Sequence, residues 1–339
     1  MASDAGAPRV TFVIPCHDLG AYLDEAVDSV FAQTVQDFDV IIVDDGSTDD
    51  PTRRLLESYE RPRTRVFRTE NRGLSAARNF ATARTSARYL CALDADDRLA
   101  PAYLERSLGV LDADPSLAFA SHWVRTFGED EREWTPERCD LSAVLDMNTL
   151  NGAALVRRDA VVSVGGWDES FRDGCEDWDF WLTLLERGYR GTIIPEVLFH
   201  YRRRPGSMSR VMMQGDVHLG VFGQILAKHR ESYRRHLTEL TLRREADIAR
   251  LLGEIHDLDL DHHGWLVPQI ARAREELAAL RAKVTRVEQE CAREAELARL
   301  DGRIAALEHE VADLRGSMSW KITRPLRTVY GWVVKRSGN

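Results

Sequence analysis

At 339 residues, 44% hydrophobic and 30% charged, the chain has room for more than one structural unit and the make-up of a globular protein with a charge-rich extension. A net charge of −9 argues against general nucleic-acid binding, which rests on cationic neutralisation of phosphates. The five cysteines (Cys16, Cys91, Cys139, Cys175 and Cys291) are scattered and form no CxxC pair, so neither a zinc site nor a disulfide framework is indicated and a reducing cytoplasm is the expected setting.

The N-terminus lacks a basic region followed by a long apolar run, so no signal peptide is expected. No window approaches the roughly 20 apolar residues needed to span a bilayer. From residue 9 to residue 204, short apolar runs alternate with helical patterns. Residues 10–15 and 38–43 read as buried strands rich in Val, Ile and Phe. Between them Tyr22, Ala26, Val30 and Phe31 recur at helical spacing. A helix around residues 76–83 precedes another strand at 89–93. This alternation predicts an α/β domain with a mainly parallel, Rossmann-like sheet covered on both faces, over residues 1–215. Ligands of such sheets gather at the carboxyl ends of the strands.

A helical connector is expected over 216–247, and the character then changes. Ile248, Leu251, Ile255 and Leu258 step by three and four, Pro268 interrupts, and Leu277, Leu280, Val284, Val287 and Cys291 resume. Leu297, Leu300, Ile304, Leu307, Val311 and Leu314 continue after a slip in register. Residues 248–315 therefore read as a coiled coil joining copies of the chain, or as a helical hairpin folded on its own domain. Residues 316–339 carry Lys321, Arg324, Arg327, Lys335 and Arg336 without an acid, beside Trp320, Leu326, Tyr330 and Trp332. A basic amphipathic helix of this kind either lies in an anionic membrane interface or docks on protein.

Three acidic elements carry chemistry. Leu93-Asp94-Ala95-Asp96-Asp97 closes a predicted strand, and carboxylates one residue apart there can face a common crevice. A divalent cation such as Mg²⁺ or Mn²⁺ would reconcile them with a diphosphate; otherwise they form a solvated turn or a helix cap. Val43-Asp44-Asp45-Gly46-Ser47 ends an earlier strand, with Asp able to accept from base or ribose donors and Ser47, Thr48 or Asp49 able to cap a helix. Glu176-Asp177 opens a helix whose face is Trp178, Trp181, Leu182 and Leu185. Asp177 reads either as an N-terminal cap or as a general base for a hydroxyl.

Val13-Ile14-Pro15-Cys16-His17-Asp18, Ser29-Val30-Phe31-Ala32-Gln33-Thr34, the DDGS element, Asn71-Arg72-Gly73-Leu74-Ser75-Ala76-Ala77-Arg78-Asn79, the DADD turn, Gly165-Gly166-Trp167-Asp168-Glu169 and Glu176-Asp177 together closely resemble glycosyltransferase family 2. Their order and spacing match over residues 9–209. The resemblance implies a GT-A fold, a nucleotide-diphosphate sugar donor, a divalent metal (Mg²⁺ or Mn²⁺) and inversion at the anomeric carbon. It places Pro15, His17, Asp44 and Asp45 at the nucleoside, and Arg78 at the base or phosphates. Asp94 falls by the ribose or metal-bound water, Asp96 on the metal, and Asp177 at the catalytic base. Residues 201–209 resemble the family's mobile segment, bringing Arg202 and Ser207 toward the diphosphate.

Asp18 stands where the family commonly has Asn, His17 where an aromatic is frequent, and Arg204 where many members carry His. No QxxRW motif follows the base, which argues against a processive synthase. The 317–327 tail resembles tails of bacterial cell-surface polysaccharide transferases. The expected enzyme is a hexosyl- or deoxyhexosyltransferase of polysaccharide or glycoconjugate synthesis. Its acceptor is a saccharide or lipid-linked saccharide, and its place the cytoplasm or the inner face of the membrane. The alternatives are a catalytically vestigial nucleotide-sugar-binding scaffold acting through its coiled coil, and a nucleotidylyltransferase. The latter fits poorly, since His17-Asp18-Leu19-Gly20 replaces its Gly-rich phosphate loop.

Overall fold

The computed structural model describes residues 8–208 and 215–257, together with helical positions between 271 and 309. The chain divides into two compact units, 1–248 and 249–339.

In the first unit β1 (Val10–Cys16) and β2 (Phe38–Asp45) are buried almost end to end, as apolar runs covered on both faces must be. They pair in parallel with each other, β2 with β3 (Thr64–Thr69), and β1 with β4 (Tyr89–Ala92). Two helices, α1 (Gly20–Phe31) and α2 (Asp50–Glu57), cover one face, and α3 (Leu74–Thr82) packs on the other through Ala77 and Ala81. The buried stripe of α1 is Leu23, Ala26, Val27 and Val30. Tyr22 and Phe31, expected on that stripe, sit at its margin, because Leu23 and Val27 point straight at the sheet.

Beyond β4 the sheet continues through elements with weaker patterns: β5 (Arg98–Leu99), β6 (Leu117–Gly128), β7 (Glu133–Trp134), β8 (Leu155–Arg157) and β9 (Arg190–Arg203). The strand order is β3-β2-β1-β4-β8-β6-β9-β5, with β7 on β6. β8 joins β4 and β6 antiparallel, whereas the longest pairing, β6 with β9, is parallel. Gly191 makes that pairing possible: a Cβ there would lie 2.0 Å from the Phe119 ring. Helices α4 (Tyr103–Ala113), α5 (Leu141–Asp146), α6 (Arg158–Val164) and α7 (Glu176–Glu186) complete the covering layers.

Two further helices, α8 (Gly215–Lys228) and α9 (Arg230–Asp257), follow β9. Ile225 and Leu240 join the core built on α7, and Phe222 stacks on Trp178 at 5.6 Å. The stretch 299–307 of the second unit is helical and exposes Leu300, Ile304 and Leu307. The rest of the heptad series beyond residue 257 and the basic segment 316–339 lie outside the described residues. Among the described residues no helix is long and apolar enough to cross a membrane.

Candidate active site

The carboxyl ends of β1, β2 and β4 meet the N-terminal ends of α3 and α7, and α3 links the acidic elements. At its head, the carboxylate of Asp45 accepts the backbone N–H groups of Arg72 (2.9 Å) and Gly73 (2.8 Å). Gly73 is at φ +93°, a conformation that glycine adopts without steric penalty, and it starts α3. Arg72 then pairs with Glu169 at 2.7 Å, and Asn79 donates to the Trp167 carbonyl at 2.8 Å, so the GGWDE element is tied to the same helix.

Arg78 is the hub. It is 1% exposed, a location a guanidinium tolerates only when paired. Its Nη1 donates to Glu176 at 2.8 Å and its Nη2 to Asp94 at 3.0 Å. A Cβ built on Gly152 would lie 3.6 Å from Arg78 Nη2 and 3.9 Å from Asp177 Oδ2, which brings the loop before β8 against both groups. Burial opposes the charge of Arg78, but Asp94, Glu176 and Asp177 more than offset it and raise its pKa.

Asp177 sits in the first turn of α7 and keeps part of its surface open. Its carboxyl is nevertheless pushed up to about 7, first by burial and then by the charge of Glu176, with Arg78 opposing. A carboxylate poised near neutrality is what general-base catalysis at neutral pH requires. Asp177 Oδ1 accepts the Trp178 amide N–H at 2.7 Å in the first turn of α7; Cys175 before the helix is left-handed at φ +61°.

The DADD element forms the turn between β4 and β5. Asp97 is 1% exposed and accepts the Arg202 backbone N–H at 2.8 Å. Burial raises its pKa well above the usual carboxylate range, and Asp96 and Asp94 add to this. Asp96 accepts Arg204 Nε at 2.6 Å. Burial also raises the pKa of Asp96, against the pull of Arg204. Arg202 itself is engaged elsewhere: its Nε donates to the Asp96 carbonyl at 2.7 Å, its guanidinium pairs with Glu25 and lies 4.4 Å from the Phe127 ring centre. Ser207 is buried in a turn whose amide N–H reaches the Arg204 carbonyl at 3.3 Å.

At the carboxyl ends of β1 and β2, His17 Nδ1 lies 2.9 Å from the Asp45 carbonyl, and Pro15 pairs with Val43 inside the sheet. Asp44 accepts the Ser47 amide at 2.8 Å and borders a cavity of about 380 Å³ that Arg53, Tyr59 and Arg68 also line. Asp18 adopts φ +54°, a conformation that Asn and Asp tolerate better than most residues, and its carboxylate accepts the amides of Thr48 (2.6 Å) and Asp49 (3.0 Å).

Among the described residues no group of three or more His, Cys, Asp or Glu side chains forms a metal-binding cluster. Asp96 nonetheless suits a hard cation that takes most of its oxygen ligands from a diphosphate and water. The guanidinium on its Oδ2 already shows that this oxygen attracts positive charge.

Glu176, Arg204, Glu25 and Gly152 were not singled out from sequence for these contacts. Arg204 and Asp96 are 108 residues apart, and only the fold joins them. The signal available for Glu176 was its adjacency to Asp177.

The profile described as glycosyl transferase family 2 matches residues 11–165, and that of glycosyl transferase family group 2 matches residues 89–244. The putative teichuronic acid biosynthesis glycosyltransferase TuaG of Bacillus subtilis is 31% identical, over 60% of this chain and 82% of its own length. Chondroitin synthase of Escherichia coli is 39% identical over 33% of this chain, which spans only 16% of that longer protein. The crystal structure of S. aureus TarS 1–349 with UDP-GlcNAc superposes with a TM-score of 0.55 at 17% identity, covering 65% of this chain and 66% of that one. At that identity the likeness is one of fold, the GT-A arrangement.

Proposed function

Because the chain belongs to glycosyl transferase family 2, we propose that it transfers a sugar from a nucleotide diphosphate to an acceptor hydroxyl with inversion, and that Asp177 is the catalytic base. The observation that carries the assignment is a carboxyl with pKa about 7 set beside the Arg78–Asp94–Glu176 cluster at the carboxyl ends of the strands.

Asp177 takes the proton of the acceptor hydroxyl as that oxygen attacks the anomeric carbon from the side opposite the leaving diphosphate. Arg78 holds Asp94 and Glu176 in place and, by its charge, keeps a share of Asp177 ionised. Asp45 fixes the loop at residues 72–73, and with Pro15, His17 and Asp44 it lines the nucleoside end. Asp96, with Asp94 beside it, would hold Mg²⁺ or Mn²⁺, which would supply charge stabilisation for the departing diphosphate. Arg202 ties the end of β9 to the DADD turn through Asp97 and the Asp96 carbonyl, and Ser207, later in the chain, would approach the diphosphate. Holding donor and acceptor in one crevice removes much of the entropic barrier.

TarS in complex with UDP-GlcNAc and the polysaccharide role in the name of TuaG favour a nucleotide-sugar donor and a saccharide or lipid-linked saccharide acceptor. Self-association through residues 248–315 and membrane contact through 316–339 belong to the same reading.

The test is release of nucleoside diphosphate from a panel of nucleotide sugars, with and without Mn²⁺. Asp177→Asn should lower transfer by about 10²–10⁴-fold while leaving donor affinity nearly intact. Near-native turnover of that variant would remove Asp177 from the role. Calorimetry of Asp96→Ala should show donor binding that no longer responds to the ion; an unaltered response rejects the Asp96 site.

A further inference from the structure

Outside the crevice lies a partly buried charge cluster that the reaction does not use. Lys228 ends α8, and His229 stands alone between α8 and α9. The Lys228 ammonium donates to Asp168 Oδ2 at 2.6 Å and lies 2.8 Å from Asp179 Oδ1. The His229 ring, 0% exposed, has Nε2 3.0 Å from Asp179 Oδ1 and Nδ1 2.9 Å from Glu186 Oε2. Nε2 hydrogen-bonds Asp179, whereas Nδ1 lies within ion-pair distance of Glu186 without hydrogen-bond alignment. Burial opposes the charged ring, but Asp179 and Glu186 overcome it and raise the pKa of His229.

The arrangement braces α7 at both ends. Asp179 is in its first turn, two residues after Asp177, and Glu186 is its last residue. Asp168 extends the brace to the turn that also holds Arg72 and Asn79 through Glu169 and Trp167. Lateral contacts set α7 against its neighbours. Beside the ring packing of Phe119 on Trp181 and Trp167 on Phe180, the polar ones include Glu176 to Arg78, the Trp178 indole N–H to the Val144 carbonyl at 2.7 Å, and the Lys228–His229 pair.

We propose that Lys228 and His229 are positioning residues for sugar transfer: they set the axial and rotational placement of α7, and through it Asp177, so that the helices after β9 belong to the catalytic machinery. This rests on Asp177 being the base.

The test uses the full chain with Lys228→Met, Lys228→Arg and His229→Gln. Lys228 is partly exposed, so its variants should fold even if loss of the buried His229 ring does not permit folding. Lys228→Met should lower kcat at least tenfold with donor Kd changed less than twofold, and Lys228→Arg should restore most of the loss. Hydrogen exchange at the amides of residues 178–181 should quicken in Lys228→Met and return toward the parent rate in Lys228→Arg. Unchanged kcat and exchange in Lys228→Met would overturn the proposal, as would a loss that arginine fails to rescue. A parent protein that binds donor but transfers nothing would count against the base assignment, and the exchange rates would then decide the brace on their own.

Discussion

Replacing Glu176 with glutamine should move the acid limb of the pH–rate profile to lower pH. Glu176 is 6% exposed, and after burial it is the strongest influence raising Asp177. Glutamine keeps a carbonyl oxygen for Arg78 but removes the neighbouring charge. With Asp177 at about 7, only about 1% of it is ionised at pH 5 and about half at pH 7. A unit charge ~6 Å away at an effective dielectric of about 20 is worth ~3 kcal/mol, roughly two pH units. The ionised share at pH 5 should therefore rise many-fold, and the variant should keep far more of its own plateau rate there than the parent does. The plateau itself should fall, since a less basic carboxylate is a poorer proton acceptor. The assay is kcat/KM for nucleoside diphosphate release between pH 5 and 9, using the donor that reacts fastest. An acid limb that stays where it was would mean that ionisation of Asp177 does not govern the rate.

Two further outcomes follow from the geometry. Asp45→Ala strips the Arg72 and Gly73 amides of their acceptor and should lower unfolding free energy by about 2–4 kcal/mol, read by chemical denaturation, with donor affinity falling as the loop loosens. Gly152→Ala should leave the melting temperature nearly unchanged, because its Cβ meets only ordinary contacts, yet should raise acceptor KM or lower kcat by filling space in front of Asp177.

The N-terminal half of the sheet was readable because β1 and β2 are covered on both faces and so appear as unbroken apolar runs. β6 and β9 are not readable as strands: β6 turns partly exposed toward its end, β9 is partly exposed along most of its length, and polar side chains interrupt both patterns. The acids themselves were legible from their positions at strand and helix ends. Their partners were not, since nothing local links Asp45 to the amides at 72–73 or Asp96 to Arg204. The same holds for Arg202, which resemblance brings toward the diphosphate: nothing local announces that its guanidinium contacts Glu25 and the Asp96 carbonyl.

The contact between Arg204 and Asp96 means that the turn after β4 carries its own counter-charge before any ligand arrives. On the proposal that Asp96 holds the ion, a cation arriving there would compete with the guanidinium on Oδ2 instead of settling into a vacant seat, so its attraction to Asp96 would be discounted by that contact. A diphosphate would change that balance from both directions, since it would bring further oxygens for the ion and a second anion for Arg204. Ion and nucleotide would then favour each other's arrival.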